Sequence, residues 1–357
     1  MNRRILLPLL LLPLTTVAFI HARQASALQT LDAAARAQII DGAIEHMRRA
    51  YIFEDVAEKM AVAAKARAAN KEYDAITEPK AFAETLTRHL QEVSKDKHLR
   101  IIFNPDGLPQ RGGPPTAEDR ARNLADERRR NFGFQKIERL DGNIGYIELL
   151  GFSGSQEVKE AAVPAMNLVA NTDALIFDLR RNGGGSPVTI GIISSYLFDK
   201  VTHLNDFYVR ERDQRQQFFT TAEVEGRRYG TEKPVYVLTS NRTFSAAEEF
   251  TYNLKNLKRA TIVGETSGGG AHPGGVRRIT DHFGIWLPNG RAINPITNTN
   301  WEGTGVEPDI KTSAADALGA AHLDALKKIR AGATDPRHQQ QLDTAIAALT
   351  SKQTTTR

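Results

Sequence analysis

The run Ala174-Leu175-Ile176-Phe177-Asp178-Leu179 leads almost directly into Asn182-Gly183-Gly184-Gly185. A short apolar stretch closed by glycines reads as a buried strand ending in a turn. Comparable strand candidates lie at 144–149, 235–239 and 261–264. Helical stretches at 190–198 and 245–257 fall between them. This alternation predicts an α/β core with largely parallel pairing, starting near residue 134. Upstream, Leu31, Ile39, Ile40, Ile44 and Met47 recur at three- and four-residue spacing, and 57–69 is alanine-rich, which predicts a small helical bundle over 28–90. The polar stretch 104–130 is too charged for a core and reads as an exposed loop with one short helix. Beyond 310 the chain returns to Ala- and Leu-rich helix and ends in a polar tail at 351–357.

The first residues look like a targeting segment. Arg3 and Arg4 precede an apolar stretch over 6–20, and Ala25-Ser26-Ala27 offers a small-residue cleavage site. The expectation is an exported protein, periplasmic or secreted, with a mature chain beginning at Leu28 and no stable membrane span after cleavage. Loss of the three arginines before residue 28 takes the formal charge from +5 to +2. A balance that small gives no footing for a nucleic-acid partner. The chain has no cysteine, which excludes a cysteine nucleophile and thiolate metal ligands. It also has no His-Glu-x-x-His and no phosphate-loop lysine, so neither a metal nor a cofactor is expected.

Two stretches can carry chemistry. The glycines after Leu179 allow a sharp turn whose N–H groups can face an anion or a developing oxyanion, or simply join a strand to a helix. In Thr243-Phe244-Ser245-Ala246-Ala247-Glu248 a helix begins near Ser245. A serine there sits at the positive end of the helix dipole, with the Ala246 N–H free to donate. The same residues also fit an N-cap serine with Glu248 completing a capping box. A serine nucleophile needs a base. His98, at the start of an extended apolar run, and His272, after Gly268-Gly269-Gly270-Ala271, are the candidates. The glycines make the second setting the more mobile one.

From about Asp96 to Ile310 the chain resembles the carboxy-terminal processing (tail-specific) serine peptidases. It is most similar to the branch related to interphotoreceptor retinoid-binding protein and the tricorn core protease. The segments that carry the resemblance are Asp96-Lys97-His98-Leu99, Gly142-Asn143-Ile144-Gly145-Tyr146, Asp178 through Gly185, Thr243 through Glu248, Val263 through Gly270, and Gly305-Val306-Glu307-Pro308-Asp309-Ile310. The resemblance implies a crotonase/ClpP-like spiral core with an N-terminal helical bundle and a C-terminal helical tail. The corresponding divisions are a signal peptide at 1–27, a helical domain at 28–95, a peptidase core at 96–311 and a tail at 312–357. It further implies Ser245 as nucleophile, and an oxyanion hole from Ala246 and one glycine of Gly183, Gly184 and Gly185, with Gly184 preferred.

The processing branch uses a lysine base, but Gly270 stands at that position and no lysine lies between Lys258 and Lys311. The tricorn-like alternative implies His98 as base and Glu302 as the residue that orients it. Lys97 stands where the tricorn-like pattern has serine. The function implied is hydrolysis of peptide bonds in exported or envelope proteins by Ser245, His98 and Glu302. The alternative is a non-catalytic binding protein for hydrophobic ligands or peptides on the same fold. With a histidine base, activity is expected to rise with pH where histidine deprotonates, and a neighbouring carboxylate would move that rise upward.

Overall fold

The computed structural model describes residues 30–109 and 116–355. The expected signal segment lies outside the described residues. Three helices open the chain: α1 (Ala33–Ala50), α2 (Glu54–Ala69) and α3 (Pro79–Ser94). Strand β1 (Arg100–Phe103) follows, and the charged connector contributes α4 (Ala117–Arg129). The α/β region then runs β2 (Phe134–Leu140), β3 (Ile144–Leu149), α5 (Lys159–Val169), β4 (Ala174–Asp178), α6 (Pro187–Ser195), β5 (His203–Val209) and β6 (Gln214–Phe219). After these come β7 (Val235–Thr239), α7 (Ala246–Asn256), β8 (Thr261–Gly264), β9 (Gly274–Arg278), β10 (Phe283–Pro288), β11 (Gly290–Ile293) and β12 (Ile310–Lys311). Two helices close the chain, α8 (Ala317–Gly332) and α9 (Pro336–Thr355). The last carries helix into the stretch expected to be a polar tail. Among the described residues, no helix is long and apolar enough to cross a membrane.

The central sheet has strand order β12-β8-β7-β4-β3-β2. It is parallel except for the β2–β3 hairpin. Side chains alternate across its faces with the strand period of two. Leu175, Phe177, Val235, Val237 and Ile262 pack on one face against Met166, Phe250 and Leu254 from α5 and α7. Ala174, Ile176, Tyr236, Leu238 and Val263 pack on the other against Ala317, Ala321, Leu326 and Leu342 from the two closing helices. Coverage on both faces is why these strands read as unbroken apolar runs.

Two three-stranded sheets, β1-β10-β9 and β11-β5-β6, were not expected from the sequence. Both are antiparallel. The first one matters for the site. Leu99, Ile101, Ile285 and Leu287 share a core with Met47, Met60, Phe82 and Leu86 of the opening helices. The β1–β10 pairing therefore fixes residues 96–99 against the loops that flank β9 and β10.

Candidate active site

Strands β4 and β7 are parallel neighbours, so the turns after them lie side by side, where ligands gather in parallel sheets. Cross-links join the turns. The Phe244 N–H donates to the Asn182 carbonyl at 3.1 Å, and the Thr243 hydroxyl donates to the Leu179 carbonyl at 2.8 Å. Ser245 caps α7 with φ 57° and ψ −121°. A non-glycine residue in that region is strained and must be held by its surroundings. Its holder is Glu248, fully buried on the first turn of α7. One Glu248 oxygen accepts from Ser245 N and Gly270 N, both at 2.8 Å. The other accepts from the Ser267 hydroxyl and Gly269 N, both at 2.6 Å. Burial pushes this carboxyl up, and the donors partly offset that. The Ser245–Glu248 motif is thus a helix start and also a clamp that ties Ser245 to the glycine-rich loop.

Gly184 lies against the serine turn. A Cβ there would meet Ser245 Cβ at 2.7 Å, and its φ of +108° favours glycine. Its N–H, however, donates to Asn182 Oδ1 at 2.9 Å. That bond takes up the amide expected to serve as the oxyanion donor. Gly185 lines the cleft together with Ser245 and Ala246.

The cleft holds about 250 Å³ and is walled by His98, Pro187, Phe207, His272, Trp286 and Trp301, among others. That is below the roughly 300–1,000 Å³ of small-molecule sites. The His98 ring packs on Phe244 with centroids 4.6 Å apart. Nδ1 of His98 and Oε1 of Glu302 are both buried and unpartnered. One donor atom each from Asp96, His98 and Glu302 lie within 4.8 Å of one another. These are types that can hold a metal, but the spread exceeds the separation of roughly 3.4 Å between donors around a tetrahedral zinc. Among the described residues this is the grouping nearest to such a site.

Sequence reasoning missed Asp96. It is 1% exposed and accepts from His98 N at 2.9 Å, His272 Nδ1 at 2.8 Å and the Tyr51 hydroxyl at 3.2 Å. His272 is therefore not mobile as expected. It is buried and fixed by Asp96, and the Ala271 N–H beside it donates to Glu302 Oε2 at 2.5 Å. Lys97 donates to the Gly268 carbonyl at 2.6 Å, and no lysine or arginine of the described residues lines the cleft. Burial pushes His98 down to about 4, with His272 and Arg100 adding to this and Asp96 opposing it. Burial pushes Glu302 up to about 7, with His272 opposing and Asp96 adding. The expected upward shift of the histidine is thus reversed, and the carboxyl becomes the group that titrates near neutrality.

Two family models match the chain. The model described as peptidase family S41 matches residues 143–312. The model for the N-terminal domain of S41 peptidases in eukaryotic interphotoreceptor retinoid-binding protein matches residues 23–129. The chain belongs to peptidase family S41. The chain is 28% identical over 191 residues to carboxyl-terminal-processing peptidase 1 of Arabidopsis thaliana chloroplasts, covering 52% of this S41 chain and 37% of the relative. It therefore spans well under half the length of that relative.

Solved structures agree on the fold. A chain from Parabacteroides merdae aligns at TM-score 0.57 and 20% identity, covering 82% of this chain and 96% of that one. The photosystem II D1 C-terminal processing protease aligns at TM-score 0.51 and 16% identity, covering 78% and 94%. The S41 chain is thus α/β in class, with the central sheet and flanking helices described above.

Proposed function

We propose that this S41 chain is a serine peptidase that cleaves peptide bonds with Ser245 as nucleophile, His98 as base and Glu302 as orienter of the base. The observation that carries the reading is the strained Ser245 at the head of α7, in one cleft with the unpartnered His98. A small approach brings Glu302 Oε1 to His98 Nδ1, which fixes the tautomer and leaves Nε2 to accept a proton. Ser245 Oγ attacks the substrate carbonyl carbon as its proton passes to His98. The carbonyl oxygen becomes an oxyanion. The Ala246 N–H and the Gly185 N–H receive it, Gly185 replacing the tied Gly184, and each donor contributes about 3 kcal/mol. His98 then gives the proton to the departing amine, and water resolves the acyl-enzyme by the same route reversed. Asp96 is a positioning residue that holds the His98 backbone and His272 together.

In this reading residues 28–95 form a helical domain, 96–311 the peptidase core and 312–357 the tail. A fluorophosphonate probe tests the nucleophile. It is expected to modify the mature protein at Ser245 and to leave Ser245→Ala unmodified. A wild-type protein that stays unmodified while folded would sink the peptidase reading and favour ligand carriage.

The substrates we propose are exported or envelope proteins, because residues 3–27 carry a basic start, an apolar stretch and a small-residue site. N-terminal sequencing of envelope material is expected to begin at Leu28. Protein retaining Met1 in the cytoplasm would contradict export.

A further inference from the structure

The mechanism leaves one cleft residue unused. Glu249 lies four positions after Ser245, one helical turn along, so both side chains sit on the same face of α7. Its own N–H donates to the Ser245 carbonyl at 2.9 Å, which fixes its place one turn below the nucleophile. The side chain lines the cleft and the residue is only 3% exposed. Its Oε1 is buried with no partner. On this face Asn253, a further turn along, and Asn205, from β5, are also fully buried with both amide atoms unpartnered. Unpartnered buried polar groups are costly, and native proteins retain few of them without a reason.

No lysine or arginine among the described residues lines the cleft, so Glu249 has no resident counter-ion there. Burial holds its carboxyl up at about 8, with the nearby Asn205 amide, outside hydrogen-bond geometry, pulling the other way. A carboxyl of this kind ionises readily only when a cation arrives beside it. Phe207, Trp286 and Trp301 in the same lining are aromatic and suit an aliphatic stem. A cleft of about 250 Å³ has room for one long side chain.

We infer that Glu249 is the floor of the pocket for the substrate residue that supplies the scissile carbonyl, and that it selects lysine or arginine there. This rests on the peptidase reading above. The cationic head reaches the unpartnered oxygen, and its stem packs on the aromatic walls. An apolar side chain of equal length leaves the carboxyl desolvated and unpaired, which is the stronger source of discrimination.

The test uses the mature protein and fluorogenic peptides that differ only in that residue: lysine, arginine, glutamine or leucine. The wild type is expected to favour lysine and arginine over leucine in kcat/KM by roughly 100-fold. Glu249→Leu is expected to abolish that preference and favour the leucine peptide. Glu249→Gln, nearly isosteric, is expected to lose the preference too, and it carries the test if the leucine variant does not fold. Fluorophosphonate labelling of Ser245 is followed in parallel. Wild-type protein that labels at Ser245 but cuts lysine and leucine peptides equally overturns the assignment of Glu249 alone. Variants that label normally and keep the lysine preference overturn it as well. Wild-type protein that neither labels nor cuts removes the peptidase reading, and this inference with it.

Discussion

His98→Ala is expected to lower peptidase turnover by about 10⁴-fold, because nucleophile and base act as one unit. Lys97→Ala is expected to stay within a few-fold of wild type. The Lys97 ammonium donates to the Gly268 carbonyl, and the residue does not line the cleft. His272→Ala tests the third candidate. It removes a partner of Asp96 and leaves the proposed base in place, so it is expected to weaken turnover far less than His98→Ala. Single-turnover measurements on one fluorogenic peptide separate the three. Near-normal turnover in His98→Ala together with complete loss in Lys97→Ala would make the base a lysine and overturn the assignment.

Glu302 should set the acid side of the pH profile. His98 is pushed down to about 4, so it is already neutral through the physiological range. Glu302 is pushed up to about 7. Below that value the carboxyl carries a proton and can donate to His98 Nδ1. That leaves the hydrogen on Nε2, facing the serine, where an acceptor is needed. Above it the carboxylate accepts from Nδ1–H, and Nε2 is free to take the serine proton. The kcat/KM is therefore expected to rise about tenfold from pH 6 to pH 8 as a single deprotonation. Glu302→Gln is expected to cost roughly 10²-fold at pH 8 and to abolish that rise. A glutamine variant that keeps the same rise would assign it to another group. A wild-type profile flat from pH 5 to pH 9 would remove Glu302 from the proton path.

The parts legible in the sequence were those written locally. The apolar runs of β3, β4, β7 and β8 needed no long-range information, because helices cover both faces and most of their side chains are apolar. Ser245 and the glycines after Leu179 were legible because each is a turn chemistry beside a strand. The antiparallel sheets were not. Gly274–Arg278 is rich in glycine and arginine, and Gln214–Phe219 opens on four polar or charged residues, so neither shows a strand-like apolar alternation. Asp96 escaped notice because its meaning lies in His272, 176 positions away. Glu248 was legible as a cap. Its second role appeared only when the loop at 267–270 folded onto it. Glu249 looked like one more acidic residue at a helix start, and only its burial and missing partner set it apart.

Ser245 and His98 are rooted in different cores. Ala246, Ala247 and Phe250 anchor the serine beside the central sheet. Leu99 and Ile101 anchor the histidine among the opening helices and β10. Neither core contains both groups, so on the proposed mechanism a half-folded chain with an intact central sheet would have its serine but no acceptor for the serine's proton. On that mechanism, hydrolytic competence belongs to the docked pair of cores and not to either one. A chain whose helical part has opened locally would, on the proposed mechanism, be chemically silent toward its neighbours.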